Sequence, residues 1–145
     1  MSKKYVVIML FNEDYSRVLL VKRRKNPYKD CWNGIGGKIE VGETPVVAAV
    51  RECLEETKIF ISKPKLLVTY LYPENNTANS NTELNILYDS TEEVVVEDNE
   101  EGHYEWKDVE FIMDPYDQSI AGLSNLNQFV KEIFEQENIV SFYDG

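Results

Sequence analysis

Short apolar runs alternate with two stretches of helical periodicity along this chain. Residues 5–11 (YVVIMLF) are continuously apolar and rich in β-formers, which is typical of a buried strand. After the turn residues Asn12-Glu13-Asp14, residues 17–23 (RVLLVKR) form a second apolar run. The two runs therefore predict a β-hairpin.

Three later segments also have strand character. Residues 65–72 and 84–88 are rich in Leu, Val, Ile and Tyr, and Tyr104 and Trp106 alternate with polar neighbours after Gly102. Residues 74–82 (ENNTANSNT) are polar and aperiodic, which predicts a loop or hairpin tip between two of these strands. Residues 92–101 are strongly acidic apart from three valines.

The first helix is clearly delimited at its start. Thr44 is a good N-cap and Pro45 suits the first helical position. At about 100° per residue, one contiguous apolar arc predicts the face turned to the core. Its members are Val46, Val47, Ala49, Val50, Cys53 and Leu54. Cys53 lies in the middle of the arc, so we interpret it as a core residue rather than a nucleophile.

A second helix is predicted over residues 125–137, with Ser124 as its cap. Its apolar stripe is Leu126, Phe129, Val130, Ile133 and Phe134. The order of elements predicts an α/β or α+β fold, a sandwich with helices on both faces of a mixed β-sheet. Neither a repeat nor a dividing linker occurs, so residues 1–145 are expected to form a single domain.

The first helix also carries an acidic face. Glu52, Glu55 and Glu56 stand at i, i+3 and i+4, which places their carboxylates on one side of the helix. Such a face repels itself unless a cation binds there. Carboxylate oxygens are hard ligands that suit Mg²⁺ or Mn²⁺.

Composition narrows the classes of partner. The 145 residues include 15 basic and 26 acidic side chains, a formal net charge of −11. This balance argues against nucleic acid polymers and anionic membranes as partners, but a bound metal would still allow a phosphorylated small molecule. Neither a signal sequence nor an apolar stretch of membrane-spanning length is present, and Cys31 and Cys53 form no CxxC pair, so a cytoplasmic protein with reduced thiols is expected.

Three polar features have alternative interpretations. The cluster Lys22 to Lys25, which includes Arg23, is either a solvated strand end or a phosphate contact. Asn33 precedes a short strand and could read a base edge through its amide. His103 is the only histidine, and a lone histidine more often packs or lies exposed than catalyses.

The stretch from Gly37 to Ile59 resembles the Nudix box. That motif reads Gly, five residues, Glu, seven residues, Arg-Glu, an apolar residue, any residue, Glu-Glu, any residue, Gly and an apolar residue. The positions in register are Gly37, Glu43, Arg51, Glu52, Cys53, Glu55, Glu56 and Ile59. One position departs, because Lys58 replaces a glycine that serves a left-handed C-cap. We expect this to cost about 1 kcal/mol of stability and to leave activity intact.

The resemblance implies an α/β/α fold and hydrolysis of a nucleoside diphosphate linked to another moiety. It implies that Mg²⁺, or Mn²⁺, is held by Glu52, Glu55, Glu56 and the backbone carbonyl of Gly37. Arg51 would orient these carboxylates through ion pairs. Glu43 would be a supporting residue or a secondary base. Members often add a carboxylate from a later loop, for which Glu100 and Glu101 are the candidates, and Lys38 could meet a phosphate.

The run WNGIGGKIEVGET resembles the MutT-type branch that hydrolyses oxidised purine nucleoside triphosphates such as 8-oxo-dGTP. Asn33 matches the position that reads the purine in that branch. An acidic pair near a Trp-Pro completes recognition there, and Asp117 is the candidate here, without the Trp. Alternatives are ADP-ribose, a dinucleoside polyphosphate or a nucleotide sugar as substrate, or a non-catalytic nucleotide-binding module. We expect a monomer or homodimer.

Overall fold

The computed structural model describes residues 3–25, 29–73, 81–113 and 126–139. Strands and helices follow one another along these residues in the order expected for a mixed α and β fold. They are β1 (Lys3–Asn12), β2 (Arg17–Arg23), β3 (Trp32–Asn33), β4 (Ile35–Lys38), α1 (Pro45–Thr57), β5 (Lys65–Pro73), β6 (Asn81–Thr91), β7 (Gly102–Asp108), α2 (Val109–Met113) and α3 (Leu126–Gln136).

Within the described residues the strands form one seven-stranded sheet. Its main path runs β3-β2-β1-β6-β5, with β4 also paired to β1 and β7 to β2. β1 and β6 are parallel over ten residue pairs, and the other neighbours are antiparallel. The predicted mixed sheet and the β1–β2 hairpin are therefore confirmed.

Two hydrophobic cores lie on opposite faces of the sheet, because successive strand side chains point to opposite sides. On β1, Ile8 and Leu10 pack toward α1, whereas Met9 and Phe11 pack toward α3. The predicted α/β/α sandwich is confirmed. All five residues of the predicted apolar stripe of α3 are buried.

The predicted core face of α1 is only partly correct. Cys53 and Ala49 are fully buried, but Val46, Val47 and Leu54 are 39%, 51% and 44% exposed. The helix instead meets the sheet through a stripe rotated toward its acidic side. Its buried members are Ala48, Ala49, Cys53, Glu56 and Thr57. Small side chains at the contact let the helix approach closely, and the larger valines remain at its outer edge.

One loop boundary and one short helix differ from the predictions. Asn81 and Thr82 belong to β6, so the loop predicted over residues 74–82 is wrong at its last two positions, and its other residues lie outside the described ranges. The short helix α2 was not predicted. It follows β7 directly and buries Val109 and Ile112. Two apolar residues in a segment of five do not distinguish a helix from the end of a strand.

The end of α1 has the conformation that the sequence predicted. Lys58 has φ 65° and ψ 13°, in the left-handed region, and its backbone N–H donates to the Leu54 carbonyl at 2.9 Å. A side chain with a Cβ is strained there, whereas glycine is not.

Lys58→Gly is expected to raise the free energy of unfolding by about 1 kcal/mol, or the melting temperature by ~3 °C. Thermal and urea unfolding measure this. Lys58→Ala is the control, since it removes the lysine side chain and keeps the strained backbone, so it should bring no gain. Equal stabilisation by both variants would attribute the effect to the side chain instead.

Candidate metal and catalytic site

A tight loop connects β4 to α1 and fixes the start of the helix. Gly42 has φ 87°, a conformation available to glycine at little cost. The Glu43 backbone N–H donates to the Glu40 carbonyl at 3.0 Å, and the Glu40 N–H donates to Glu43 Oε1 at 2.8 Å. Thr44 Oγ1 accepts from the Val47 N–H at 3.2 Å, which confirms the predicted N-cap.

Arg51 joins this loop, strand β4 and the acidic face of α1. Its guanidinium forks onto Glu43, with Nε 2.7 Å from Oε2 and Nη2 2.8 Å from Oε1. Nη1 donates to Glu52 at 2.9 Å and to Glu55 at 3.3 Å, and Nη2 also donates to the Lys38 carbonyl at 2.9 Å. The planar guanidinium grips Glu43 as a fork and still has donors for the other partners, whereas a lysine ammonium has only three donors and no fork.

The ion pair determines the charge state of Glu43. Hydrogen bonds from Arg51 and from the Glu40 backbone lower the pKa of the Glu43 carboxyl to about 2. A carboxylate held this strongly in its ionised form is a poor proton acceptor at neutral pH. Of the two roles that the sequence left open for Glu43, the geometry favours the supporting one.

Glu52 lies directly against the glycine pair of β4. A Cβ placed on Gly37 would come within 2.4 Å of the Glu52 carboxyl carbon, so only glycine allows this approach. Burial raises the pKa of Glu52, and the hydrogen bond from Arg51 opposes that rise. The backbone at Gly37 and the Glu52 carboxylate therefore share one small region.

Glu56 is the most buried acidic residue in the part of the chain that the structure describes, with 9% of its surface exposed. Its Oε1 accepts a hydrogen bond from the Tyr104 hydroxyl at 3.1 Å. Its Oε2 is buried and has no partner among the described residues. Desolvation raises the pKa of Glu56 to about 8, against the hydrogen bond from Tyr104 and a smaller effect of the Gly36 backbone N–H. Glu55, by contrast, has a side chain that is 59% exposed.

The loop before β7, residues 99–101, approaches the C-terminal end of α1. Glu100 and Glu101 are both exposed, and the charge of Glu101 contributes to the raised pKa of Glu52 and of Glu56. Asn99 Nδ2 donates to the backbone carbonyl of Glu56 at 2.8 Å. Of the two predicted loop carboxylates, Glu101 is therefore the one whose charge acts on the box residues. Asn99 and Tyr104 were missed, because nothing in the local sequence links them to α1.

The remaining predicted residues lie around this centre. Arg23 pairs in the sheet with Gly102, next to Glu101. Asn33 is half-buried on β3 and its Oδ1 accepts from the Gly34 N–H at 2.8 Å. Lys38 is exposed at the end of β4, and Asp117 lies outside the described residues.

The structure shows His103 and Cys53 in the non-catalytic environments that the sequence predicted. His103 is exposed, and hydrogen bonds to Asp98 and then Glu105 raise its pKa. Cys53 is buried, and desolvation raises the pKa of its thiol to about 11, which disfavours a nucleophilic thiolate.

The donors at the end of α1 could hold a hard divalent cation. The unpartnered Oε2 of Glu56 and the carboxylate of Glu52 are oxygen ligands of the kind that Mg²⁺ takes. As the side chains are oriented, no three His, Cys, Asp or Glu residues of the described ranges are grouped closely enough to hold a metal. Arg51 instead occupies oxygens of Glu52 and Glu55.

Comparison with known proteins gives a match over most of the chain. A NUDIX domain model matches residues 1–125. The chain is similar to an ADP-ribose pyrophosphatase of Methanocaldococcus jannaschii, 41% identical over 64 residues that make up 44% of this chain and 38% of that protein. It is also similar to a dihydroneopterin triphosphate diphosphatase of Haemophilus influenzae, 36% identical over 62 residues, 43% of this chain and 38% of that protein. The chain thus spans about two fifths of the length of these relatives.

A mouse oxidized purine nucleoside triphosphate hydrolase is 27% identical over 96 residues, 57% of this chain and 60% of that protein. Among solved structures, a MutT NUDIX hydrolase from Burkholderia pseudomallei has a TM-score of 0.70 at 18% identity, covering 92% of this chain and 98% of that one. The NUDIX domain of Shewanella oneidensis NrtR, complexed with ADP ribose, has a TM-score of 0.71 at 17% identity, covering 94% and 89%. These structures support the fold alone. None of the helices in the described part of the chain is long and apolar enough to cross a membrane.

Proposed function

Because this chain belongs to the NUDIX family, we propose that it is a Mg²⁺-dependent hydrolase of a nucleoside triphosphate. Water adds to a phosphorus of the anhydride, the bridging P–O bond breaks, and the products are a nucleoside monophosphate and pyrophosphate. The observation that carries this proposal is the buried, unpartnered Oε2 of Glu56 beside the other box carboxylates. A metal-dependent hydrolase needs a free carboxylate oxygen to bind its cation. A carboxylate with a purely structural role would have both of its oxygens hydrogen-bonded.

Each box residue then has a distinct part. Glu52, Glu56 and the Gly37 carbonyl would hold the cation, with Glu55 and Glu101 completing the set once it binds. A divalent cation would neutralise the phosphate oxygens and make a water nucleophilic near neutral pH. Arg51 holds three carboxylates in place by bonding each of them and offsets their mutual repulsion. Glu43 fixes Arg51, and Mn²⁺ would be an effective substitute.

The nucleotide would be recognised by residues around the metal site. Asn33 presents an amide suited to a base edge, and the mouse relative is named for oxidised purine triphosphates. Lys38 and Arg23 would contact phosphates at the mouth of the site, and Asp117 would help to read the base. A second candidate substrate is ADP-ribose, since the archaeal relative named for it has the higher identity.

A substrate panel tests the proposal. The protein is incubated with millimolar Mg²⁺ and 8-oxo-dGTP, dGTP, dihydroneopterin triphosphate, ADP-ribose, a dinucleoside polyphosphate or a nucleotide sugar, and products are resolved by anion-exchange chromatography. We expect the highest kcat/KM on a purine nucleoside triphosphate, with pyrophosphate as the second product. Highest turnover on ADP-ribose would favour the second candidate, and lack of turnover on every compound would refute both.

Metal binding is expected to depend on pH through Glu56. In the folded, metal-free protein its pKa is about 8, above the usual 4.5. The folded state therefore keeps a proton that the unfolded chain loses, so metal-free stability falls as pH rises from about 4.5 through 8. A cation needs the ionised carboxylate and must displace that proton. Its affinity should rise by at most about tenfold per pH unit up to pH 8.

The measurement is a thermal scan with and without millimolar Mg²⁺ at pH 6, 7 and 8, at matched ionic strength. The melting temperature should rise with Mg²⁺ at each pH, and most at pH 8. NaCl at equal ionic strength is the control for screening of the acidic surface. A Mg²⁺ effect that is the same at pH 6 and pH 8 would contradict the assignment of Glu56 as a ligand.

A further inference from the structure

Glu56 is held by a network that comes from β7 and the loop before it, with Tyr104 in the core on the α1 face of the sheet. Tyr104 lies on β7, opposite Val21 of β2, and is 5% exposed. Its hydroxyl is 3.1 Å from Glu56 Oε1 and 3.4 Å from Asn99 Oδ1. A phenol has one proton to donate, and the shorter distance gives it to the Glu56 carboxylate. Because a tyrosine has few rotamers and its ring is packed in the core, the donor position is rigid.

Asn99 joins the same network with both ends of its amide. Its Nδ2 donates to the Glu56 backbone carbonyl at 2.8 Å, near the C-terminal end of α1 where helix carbonyls lack helical partners. Its Oδ1 accepts from the Glu101 N–H at 2.8 Å. Only a side chain that is donor and acceptor at once can make both bonds, and aspartate cannot. Asn99 therefore ties the loop that carries Glu101 to the helix that carries Glu56.

The two carboxylate oxygens of Glu56 differ in their hydrogen bonding. One oxygen is held by Tyr104, and the other is buried without a partner among the described residues. A buried carboxylate with a structural purpose would have both oxygens hydrogen-bonded, since an unsatisfied one is costly. Holding one oxygen fixes the plane of the carboxylate and directs the other oxygen into the site.

We propose that Tyr104 and Asn99 are positioning residues of the metal site. Tyr104 orients Glu56 so that Oε2 faces the cation, and Asn99 holds the loop of Glu101 against the same helix end. This inference rests on the proposed function of the site. It predicts that removing either side-chain group weakens cation binding while the fold is retained.

Tyr104→Phe tests the first half, and Tyr88→Phe is its matched control. Tyr88 is 1% exposed, and its hydroxyl lies 2.7 Å from a carboxylate oxygen of Glu137, the residue after α3, on the opposite face of the sheet. Both variants remove a core tyrosine hydroxyl that bonds a glutamate. Mn²⁺ binding is measured without nucleotide by electron paramagnetic resonance, and thermal stability is measured without metal.

We expect Tyr104→Phe to weaken Mn²⁺ binding roughly tenfold, as removal of groups that orient metal ligands typically does. Tyr88→Phe should leave Mn²⁺ affinity unchanged despite a similar loss of stability. In turnover, Tyr104→Phe should raise the Mg²⁺ concentration needed for half-maximal rate, and saturating Mg²⁺ should restore most of kcat. Equal Mn²⁺ affinity in both variants would overturn the role of Tyr104.

Asn99→Ala tests the second half, because it removes the donor to the Glu56 carbonyl and the acceptor from Glu101 without adding a charge beside the cation site. It should also weaken Mn²⁺ binding several-fold, and unchanged affinity would overturn the role of Asn99. This variant keeps the inference testable if Tyr104→Phe does not fold. Since Mn²⁺ binding needs no substrate, the two proposals fail separately. A wild-type protein that binds Mn²⁺ but hydrolyses none of the panel refutes only the proposed function.

Discussion

Glu56→Gln is expected to lower turnover by about a thousandfold while making the metal-free protein more stable at pH 8. The loss follows from removing an anionic ligand of the cation, which stabilises the transition state by several kcal/mol. The gain follows because the wild-type carboxylate is buried and its pKa is raised to about 8. A neutral amide removes that desolvation cost but buries its own N–H groups, so the net gain is about 1 kcal/mol.

Steady-state kinetics over a range of Mg²⁺ concentrations and thermal unfolding in chelator measure the two effects. Glu55→Gln is the matched control, because its side chain is 59% exposed and its carboxylate accepts a hydrogen bond from Arg51 at 3.3 Å. It should change metal-free stability by less than about 0.5 kcal/mol. Unchanged metal-dependent turnover in Glu56→Gln would mean that Glu56 is not a ligand. A destabilised Glu56→Gln would mean that the carboxylate is stabilising where it lies.

Arg51→Met is expected to have the largest effect on stability. The Arg51 side chain is 22% exposed, and Glu43 and Glu52, which it bonds, are 13% and 15% exposed. Removing it leaves half-buried carboxylates without a counter-charge, which costs about 3 kcal/mol, or ~10 °C in melting temperature. Turnover should fall by about a hundredfold, since the carboxylates lose their orientation.

Arg17→Met provides the comparison. Arg17 also pairs with a carboxylate, Asp108 at 3.1 Å, but the two side chains are 58% and 66% exposed. An exposed pair of this kind contributes less than about 1 kcal/mol. Arg51→Lys should lie between the two, because it keeps the charge but not the fork. If Arg51→Met and Arg17→Met melt at the same temperature, the Arg51 network is not stabilising.

The sequence was sufficient for features that depend on near neighbours. The N-cap at Thr44, the left-handed Lys58 and the helix register of the acidic residues all follow from a few adjacent positions. The strands β1 and β2 follow from continuous apolar runs and the stripe of α3 from helical periodicity, both of which report burial on a regular element. These are the features that the structure confirms.

Other features depend on how elements are placed against each other. Spacing puts Glu52, Glu55 and Glu56 on one face of α1, but it does not say which part of that face meets the sheet. The structure buries Glu56 and leaves Glu55 and Leu54 exposed. The contact from Tyr104 to Glu56 joins residues 48 positions apart, and no local pattern contains that information. The residues that would choose the substrate are subject to the same limit.

That separation along the chain also bears on how the protein folds. The loop and helix from Gly37 to Glu56 can form from nearby residues, whereas the contact of β7 with Glu56 joins residues 48 positions apart, and β7 pairs with the distant strand β2. Closing such a long loop costs entropy before the contact is gained, so this pairing belongs to a late stage of folding. A half-folded chain would have the box helix without its partner strand and would bind a cation poorly. The ion would then slow unfolding and leave the refolding rate nearly unchanged. It would stabilise the native state after folding and take no part in the folding nucleus.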